Sequence, residues 1–175
     1  YHNDGGGKFS DVSSKAGIQI RHPRTGLPMA KSLAVSPLDV DNDGWVDLVV
    51  ANDTVQNFLF HNEHDGTFKE IGARSGVAYD AYGLVRGAMG IDSARFRKDD
   101  RLGIAIGNFA NEMNALYVAQ PESLMFADEA INEGVGPAIA AQGVRALAGV
   151  QGVIAGAAGG RGAGAGAIDH LAALA

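Results

Sequence analysis

Asp39-Val40-Asp41-Asn42-Asp43-Gly44-Trp45-Val46-Asp47 sets four carboxylates at positions 1, 3, 5 and 9 of one short loop, with glycine at position 6. No other stretch of the chain concentrates charge in this way. Like charges this close repel each other unless a cation sits among them. In a loop of this form alternate carboxylates point inward, and the glycine permits the φ > 0 bend that wraps the chain round an ion. The backbone carbonyl of Trp45, at position 7, supplies a further oxygen. The candidate metal ligands are therefore Asp39, Asp41, Asp43, Trp45 and Asp47. Oxygen donors on a tight turn suit a hard cation such as calcium, with water completing a coordination number of 6–8. The ion's role would be structural.

The flanks decide what kind of loop this is. A helix–loop–helix calcium hand requires a bidentate Glu at position 12, where this chain has Val50, and helical flanks. Thrombospondin-like acidic repeats share the spacing but are stapled by cysteines, and the chain has none. Val46 to Ala51 is rich in β-branched residues, as in a buried strand, and Ser32 to Leu38 is an apolar run ending at the loop. The pattern points to a calcium loop between two strands, closed by Asp47. The bland alternative is a solvated acidic turn without a stable ion.

A repeat near 58 residues runs through the chain. Phe9, Phe68 and Phe126 are spaced 59 and 58 residues apart, and each is followed eight residues later by glycine and a β-branched residue: Gly17-Ile18, Gly76-Val77 and Gly134-Val135. Tyr1-His2-Asn3 matches Phe60-His61-Asn62. Val49-Val50-Ala51-Asn52 matches Ala105-Ile106-Gly107-Asn108, 56 residues on. Within one unit, Asn57 to His61 and Thr67 to Ile71 add two short strands about the Asp65-Gly66 turn, making about four strands per unit. Four-stranded repeats of this length suggest propeller blades, each burying its faces only against its neighbours. Ser14 to Lys31 and Ala73 to Arg86 read as irregular connections between units. With no initiator methionine and too few units for a closed ring, the sequence reads as an internal fragment or a processed chain.

Four stretches carry a family likeness: "YHNDGGGKFSDVSSKAGI" from Tyr1, "LDVDNDGWVDLVVAND" from Leu38, "FLFHNEHDGTFKEIGARSGV" from Phe58, and "RGAMGIDSARF" with "LGIAIGNF" from Arg86 and Leu102. They resemble the FG-GAP/VCBS repeat superfamily, whose calcium loops sit in integrin-like β-propellers. More closely, the sequence is similar to bacterial cartilage-acidic-protein-like VCBS-repeat proteins associated with ASPIC/UnbV domains. No part of the chain matches an ASPIC/UnbV domain. The likeness covers about residues 1–135 and implies an all-β fold: a partial β-propeller with units near 1–18, 32–77 and 87–135. It also implies an extracellular, cell-surface or periplasmic setting.

The second copy of the loop departs from the pattern. At the 56-residue offset, positions 1, 3, 5, 6 and 9 become Arg95, Arg97, Asp99, Asp100 and Gly103, a set unsuited to calcium. A guanidinium in the cation's place, paired with Asp99 or Asp100, is the expectation there.

From residue 136 to 175 the composition turns to glycine and alanine. Two readings stay open for this segment: a flexible low-complexity tail, weakly helical only at Ile168 to Ala175, or a stretch that has left its proper reading frame after about residue 137.

Composition bounds the function. A net charge of −6 argues against nucleic acid as partner. Zero cysteines exclude disulfide frameworks and thiolate metal sites. No uninterrupted apolar run reaches transmembrane length, so no membrane insertion is expected in this segment. No catalytic triad, acid/base carboxylate pair or G-x-S-x-G elbow is present. His2 and His61 hold equivalent repeat positions at strand ends, and His64 beside Asp65 reads as a solvated turn pair. The expected function is a calcium-stabilised binding module for a protein or carbohydrate partner, packed against neighbouring propeller blades. The alternatives are a propeller-scaffold enzyme whose active site lies elsewhere and an intracellular scaffold.

Overall fold

A computed structural model describes residues 1–121 and 123–137. The expectations for the Gly/Ala-rich segment beyond residue 137, including the short helix at its end, lie outside the described residues. Strands β1 (His2–Gly5) and β2 (Lys8–Ser10) form a hairpin, the last two strands of the first unit. The second unit is a four-stranded antiparallel sheet of β3 (Ser32–Leu38), β4 (Asp47–Asn52), β5 (Phe58–Asn62) and β6 (Phe68–Glu70), in sequential order. The third repeats it with β7 (Ala88–Arg95), β8 (Leu102–Asn108), β9 (Ala115–Ala119) and β10 (Phe126–Asp128). The described residues are thus nearly all-β, as expected. The one helix among the described residues is the single turn α1 (Gly72–Ser75), which runs into the head of the connection expected to be irregular from Ala73 to Arg86.

The 56-residue offset survives as geometry. The β3–β4 ladder shifts register between Ser32 and Ala34, and the β7–β8 ladder shifts at the matching Ala88 and Gly90. The paired asparagines also act alike. Asn52 N–H donates to Asn57 Oδ1 (3.1 Å) and its side-chain amide donates to the Gln56 carbonyl (2.8 Å). Asn108 N–H donates to Asn114 Oδ1 (2.8 Å) and its amide donates to the Met113 carbonyl (2.6 Å). Each asparagine therefore closes the connection leaving its strand, which explains why the sequence repeats there.

Strand alternation sends each sheet's side chains to two faces. Val49 and Ala51 of β4 and Leu59 of β5 meet Ile104 and Ile106 of β8 and Tyr117 of β9 in one buried cluster between the two sheets. The opposite face of the second unit, Val50, Phe58 and Phe60, is covered in part by Ile18, Ile20 and Met29 from the preceding connection. The far face of the third unit buries Ala105, Leu116 and Val118 against Ala130 and Val135. The sheets meet directly where Ser36 and Ser93 hydroxyls approach to 2.9 Å. Two of the glycines eight residues past a phenylalanine sit where one unit meets the next. Gly76 has φ +88°, and a Cβ there would lie 2.5 Å from the Phe126 carbonyl oxygen. Gly17, with φ +77°, stands in the same relation to Phe68.

Candidate metal site

β3 and β4 are antiparallel neighbours, so the acidic loop is the turn between them, with Leu38 opposite Asp47 at its base. The backbone wraps tightly: Asn42 has φ 62° and Gly44 φ 89°, left-handed conformations that asparagine and glycine tolerate best. Backbone N–H groups converge on the carboxylates. Asp43 and Gly44 N–H donate to the two oxygens of Asp39 (3.1 and 2.9 Å). Trp45 N–H donates to Asp43 Oδ1 (2.7 Å) and holds that carboxyl below its usual range.

Asp47 is the anchor. Its carboxylate is buried, accepting Val40 N–H at 2.9 Å on one oxygen and Asn62 N–H at 2.8 Å on the other. It therefore ties the start of the loop to the end of β5. Burial pushes its pKa up, against the pull of those two bonds. Asn62 also donates its side-chain amide to the Val46 carbonyl at 3.0 Å.

The donor set fits a hard divalent cation. Carboxylate oxygens of Asp39, Asp41 and Asp47 all lie within 4.8 Å of one another. Oxygens on opposite sides of a calcium ion at 2.3–2.6 Å are about 4.6–5.2 Å apart. Asp43 joins a second grouping with Asp41 and His61 on the same spacing. The structure thus brings Asp39, Asp41 and Asp47 into one grouping and sets Asp43 beside Asp41. Trp45 lies in the same turn, with its ring half-exposed and stacked on His64 at 5.1 Å between centroids.

Sequence reasoning missed the two histidines. His61, at the end of β5, places Nε2 3.0 Å from Asp41 Oδ2. Burial draws its pKa down, but bonds to Asp41 and Glu63 and the nearby charge of Asp47 outweigh that, and the net shift is upward. His64, expected to pair with Asp65 in solvent, instead reaches Asp43 Oδ2 at 2.5 Å. The β5–β6 hairpin folds over the loop, across about 20 residues of sequence. The repeated His-Asn pair, at His2-Asn3 and His61-Asn62, was the available signal.

The third unit's loop is closed by other means. Arg95 donates to the Asp100 carbonyl at 2.6 Å and to Asn42 Oδ1 of the acidic loop, and lies 3.7 Å from the Asp100 carboxylate. Arg101 pairs with Asp99 at 2.5 Å, and Arg97 bridges Glu129 and Glu133. Phe96 covers Gly103 so closely that a Cβ there would fall 2.3 Å from its ring. An aromatic ring therefore crowds the place where Asp47 carries its carboxylate in the intact loop, and guanidinium groups supply the positive charge. Between the two loops lies a cavity of about 480 Å³, lined by Asp41, Asn42, Arg95, Arg101 and Gln120 among others.

Comparison with known proteins agrees with this geometry. Residues 39–106, from the first loop aspartate to the core of β8, match the FG-GAP-like repeat. This segment is similar to an FG-GAP-like repeat. The four-stranded sheets are accordingly blades of a β-propeller. The chain is also similar to cartilage acidic protein 1 of Homo sapiens, 32% identical over 108 residues, which is 62% of this chain and 14% of that protein. The same protein of Mus musculus is 32% identical over 108 residues, covering 62% and 15%. That of Xenopus tropicalis is 34% identical over 101 residues, covering 58% and 14%. The matched region spans about one seventh of the length of these relatives.

Proposed function

We propose that residues 1–135 form part of a calcium-stabilised β-propeller module that binds a protein or carbohydrate partner in an extracellular, cell-surface or periplasmic setting. The observation that carries the reading is the convergence of Asp39, Asp41 and Asp47 oxygens within 4.8 Å in a loop whose left-handed turns hold them there. Asp43 and the Trp45 carbonyl belong to the same donor set. Oxygen donors alone favour calcium over softer ions.

Calcium would neutralise the aspartates and pin the turn joining the blade's first two strands. Carboxylates at this spacing repel by about 1–4 kcal/mol per pair, depending on solvent screening. The ion offsets that repulsion without taking part in a reaction. The cavity between the two loops, with arginine, aspartate, asparagine and glutamine on its walls, suits a polar ligand such as a sugar or a peptide. Further blades of a longer protein would be the neighbours of this pair. The net charge of −6 disfavours nucleic acid. Extracellular calcium modules bind at about 10⁻⁴–10⁻³ M, which suits the millimolar calcium outside cells.

The test is thermal unfolding with millimolar calcium and with chelator, beside Asp41→Ala. Mass action predicts stabilisation of about 1–3 kcal/mol by calcium in the wild type and little or none in the variant. An unchanged wild-type transition would defeat the calcium reading.

A further inference from the structure

Every carboxylate oxygen of Asp41 and Asp43 already accepts a hydrogen bond within the protein. Oδ1 of Asp41 accepts Asp43 N–H at 3.3 Å, and Oδ1 of Asp43 accepts Trp45 N–H at 2.7 Å. The Oδ2 atoms face imidazoles, His61 at 3.0 Å and His64 at 2.5 Å. These two kinds of bond differ in what it takes to break them. The backbone bonds are part of the turn, so losing them unwinds the loop. The imidazoles sit on side chains of a neighbouring hairpin and can rotate away while both backbones stay in place.

We propose that His61 and His64 compete with calcium for the loop, so that binding the ion swings both imidazoles off Asp41 Oδ2 and Asp43 Oδ2 and opens the stack between His64 and Trp45. This rests on the calcium reading above. Calcium needs six to eight oxygens at 2.3–2.6 Å; an oxygen that accepts one backbone N–H keeps a second lone pair for the ion, and the imidazoles beside the two Oδ2 atoms are the partners that can leave without disturbing the turn. His64 is half-exposed and has solvent to move into. His61 keeps Glu63 beside its other ring nitrogen, at 3.4 Å, when Asp41 is withdrawn. The histidines then tune the loop's affinity: they satisfy Asp41 and Asp43 when calcium is scarce and yield when it is abundant.

Calorimetry and tryptophan emission on the full chain, at one fixed near-neutral pH, test this. Trp45 is the sole tryptophan, so its emission reports the loop alone. Calcium should change Trp45 emission in the wild type, and His64→Ala should remove most of that change. The double variant His61→Ala/His64→Ala should bind calcium about fivefold to a hundredfold tighter, as two lost competing hydrogen bonds imply. If the alanine variants do not fold, histidine resonances of the wild type decide: calcium should move those of His61 and His64 and leave those of His2 and His22 in place. Wild-type binding with unmoved His61 and His64 resonances, or a folded double variant that binds equally or more weakly, overturns the competition. No calcium uptake by the wild type overturns the calcium reading itself.

Discussion

At Asp47 two backbone N–H groups, from Val40 and Asn62, meet on one buried carboxylate. Removing it leaves both donors without an acceptor inside the fold. Each buried, unsatisfied donor costs about 1–3 kcal/mol. Asp47→Ala should therefore destabilise the chain by about 2–4 kcal/mol in urea unfolding, even with chelator present, whereas Asp47→Asn, which keeps one acceptor oxygen, should cost about half as much. A loss seen only in calcium would mean that Asp47 acts through the ion alone. Asp80 makes a pH prediction on the same scale. Burial raises its pKa, but N–H groups of Leu84 and Tyr82 and the Arg86 guanidinium win, and the carboxyl lies below its ordinary 3.8 in the folded chain. A depressed folded pKa gives stability that is complete above the unfolded value and lost as pH falls through the folded one. Wild-type stability should therefore drop below about pH 4, and Asp80→Asn should flatten that part of the profile while lowering stability at neutral pH by about 1–3 kcal/mol. Matching acid limbs in the two proteins would show that Asp80 carries none of this dependence.

Among the elements, the joint between blades depends on glycines that the repeat spacing marks but does not explain. Gly76 and Gly134 hold equivalent repeat positions with φ of +88° and +71°. Alanine in that conformation costs about 1–2 kcal/mol at either site. At Gly76 the new Cβ also meets the Phe126 carbonyl at 2.5 Å, so β10 must shift, while among the described residues nothing lies within 4 Å of Gly134. Gly76→Ala should thus cost well over 2 kcal/mol and Gly134→Ala no more than about 2 kcal/mol, measured by chemical unfolding; equal costs would remove the packing account. The strands were legible because their signals are local. Ser32 to Leu38 is bounded by the acidic loop, and Phe58 to Phe60 is an apolar run ahead of Asp65-Gly66. The aspartates were legible for the same reason. The histidines were not, because His61 and His64 reach Asp41 and Asp43 only after β4 and β5 have paired. Asp47 was read as a ligand from its position in the loop, but its backbone partners lie 7 and 15 residues away. The second loop's loss of aspartates could be read directly, yet Phe96 crowding Gly103 could not, since nothing local pairs an aromatic ring with a glycine seven residues on.

On the scale of the whole molecule, the two blades carry the same surface in different surroundings. Val35 of β3 and Ile91 of β7 stand at the 56-residue offset, opposite Val50 and Ile106 in their ladders. Ile91 packs against the cluster between the blades, whereas Val35 is 56% exposed beside Leu33, also 56% exposed. The face that one blade covers on its successor is therefore only partly covered on the blade before it, where the preceding connection reaches Phe58 and Phe60 but not the end strand. Substituting threonine keeps the β-branch and adds a hydroxyl, so it tests burial with little change in strand preference. Ile91→Thr should destabilise this chain by about 1–3 kcal/mol, and Val35→Thr should fall within about 0.5 kcal/mol of wild type. In a longer chain that includes a complete preceding blade, the Val35→Thr cost should rise toward that of Ile91→Thr, because the same position would then be enclosed between sheets. Urea unfolding of both chains checks this. A Val35→Thr cost that stays small in the longer chain would show that the preceding blade does not pack on β3 as the second blade packs on β7.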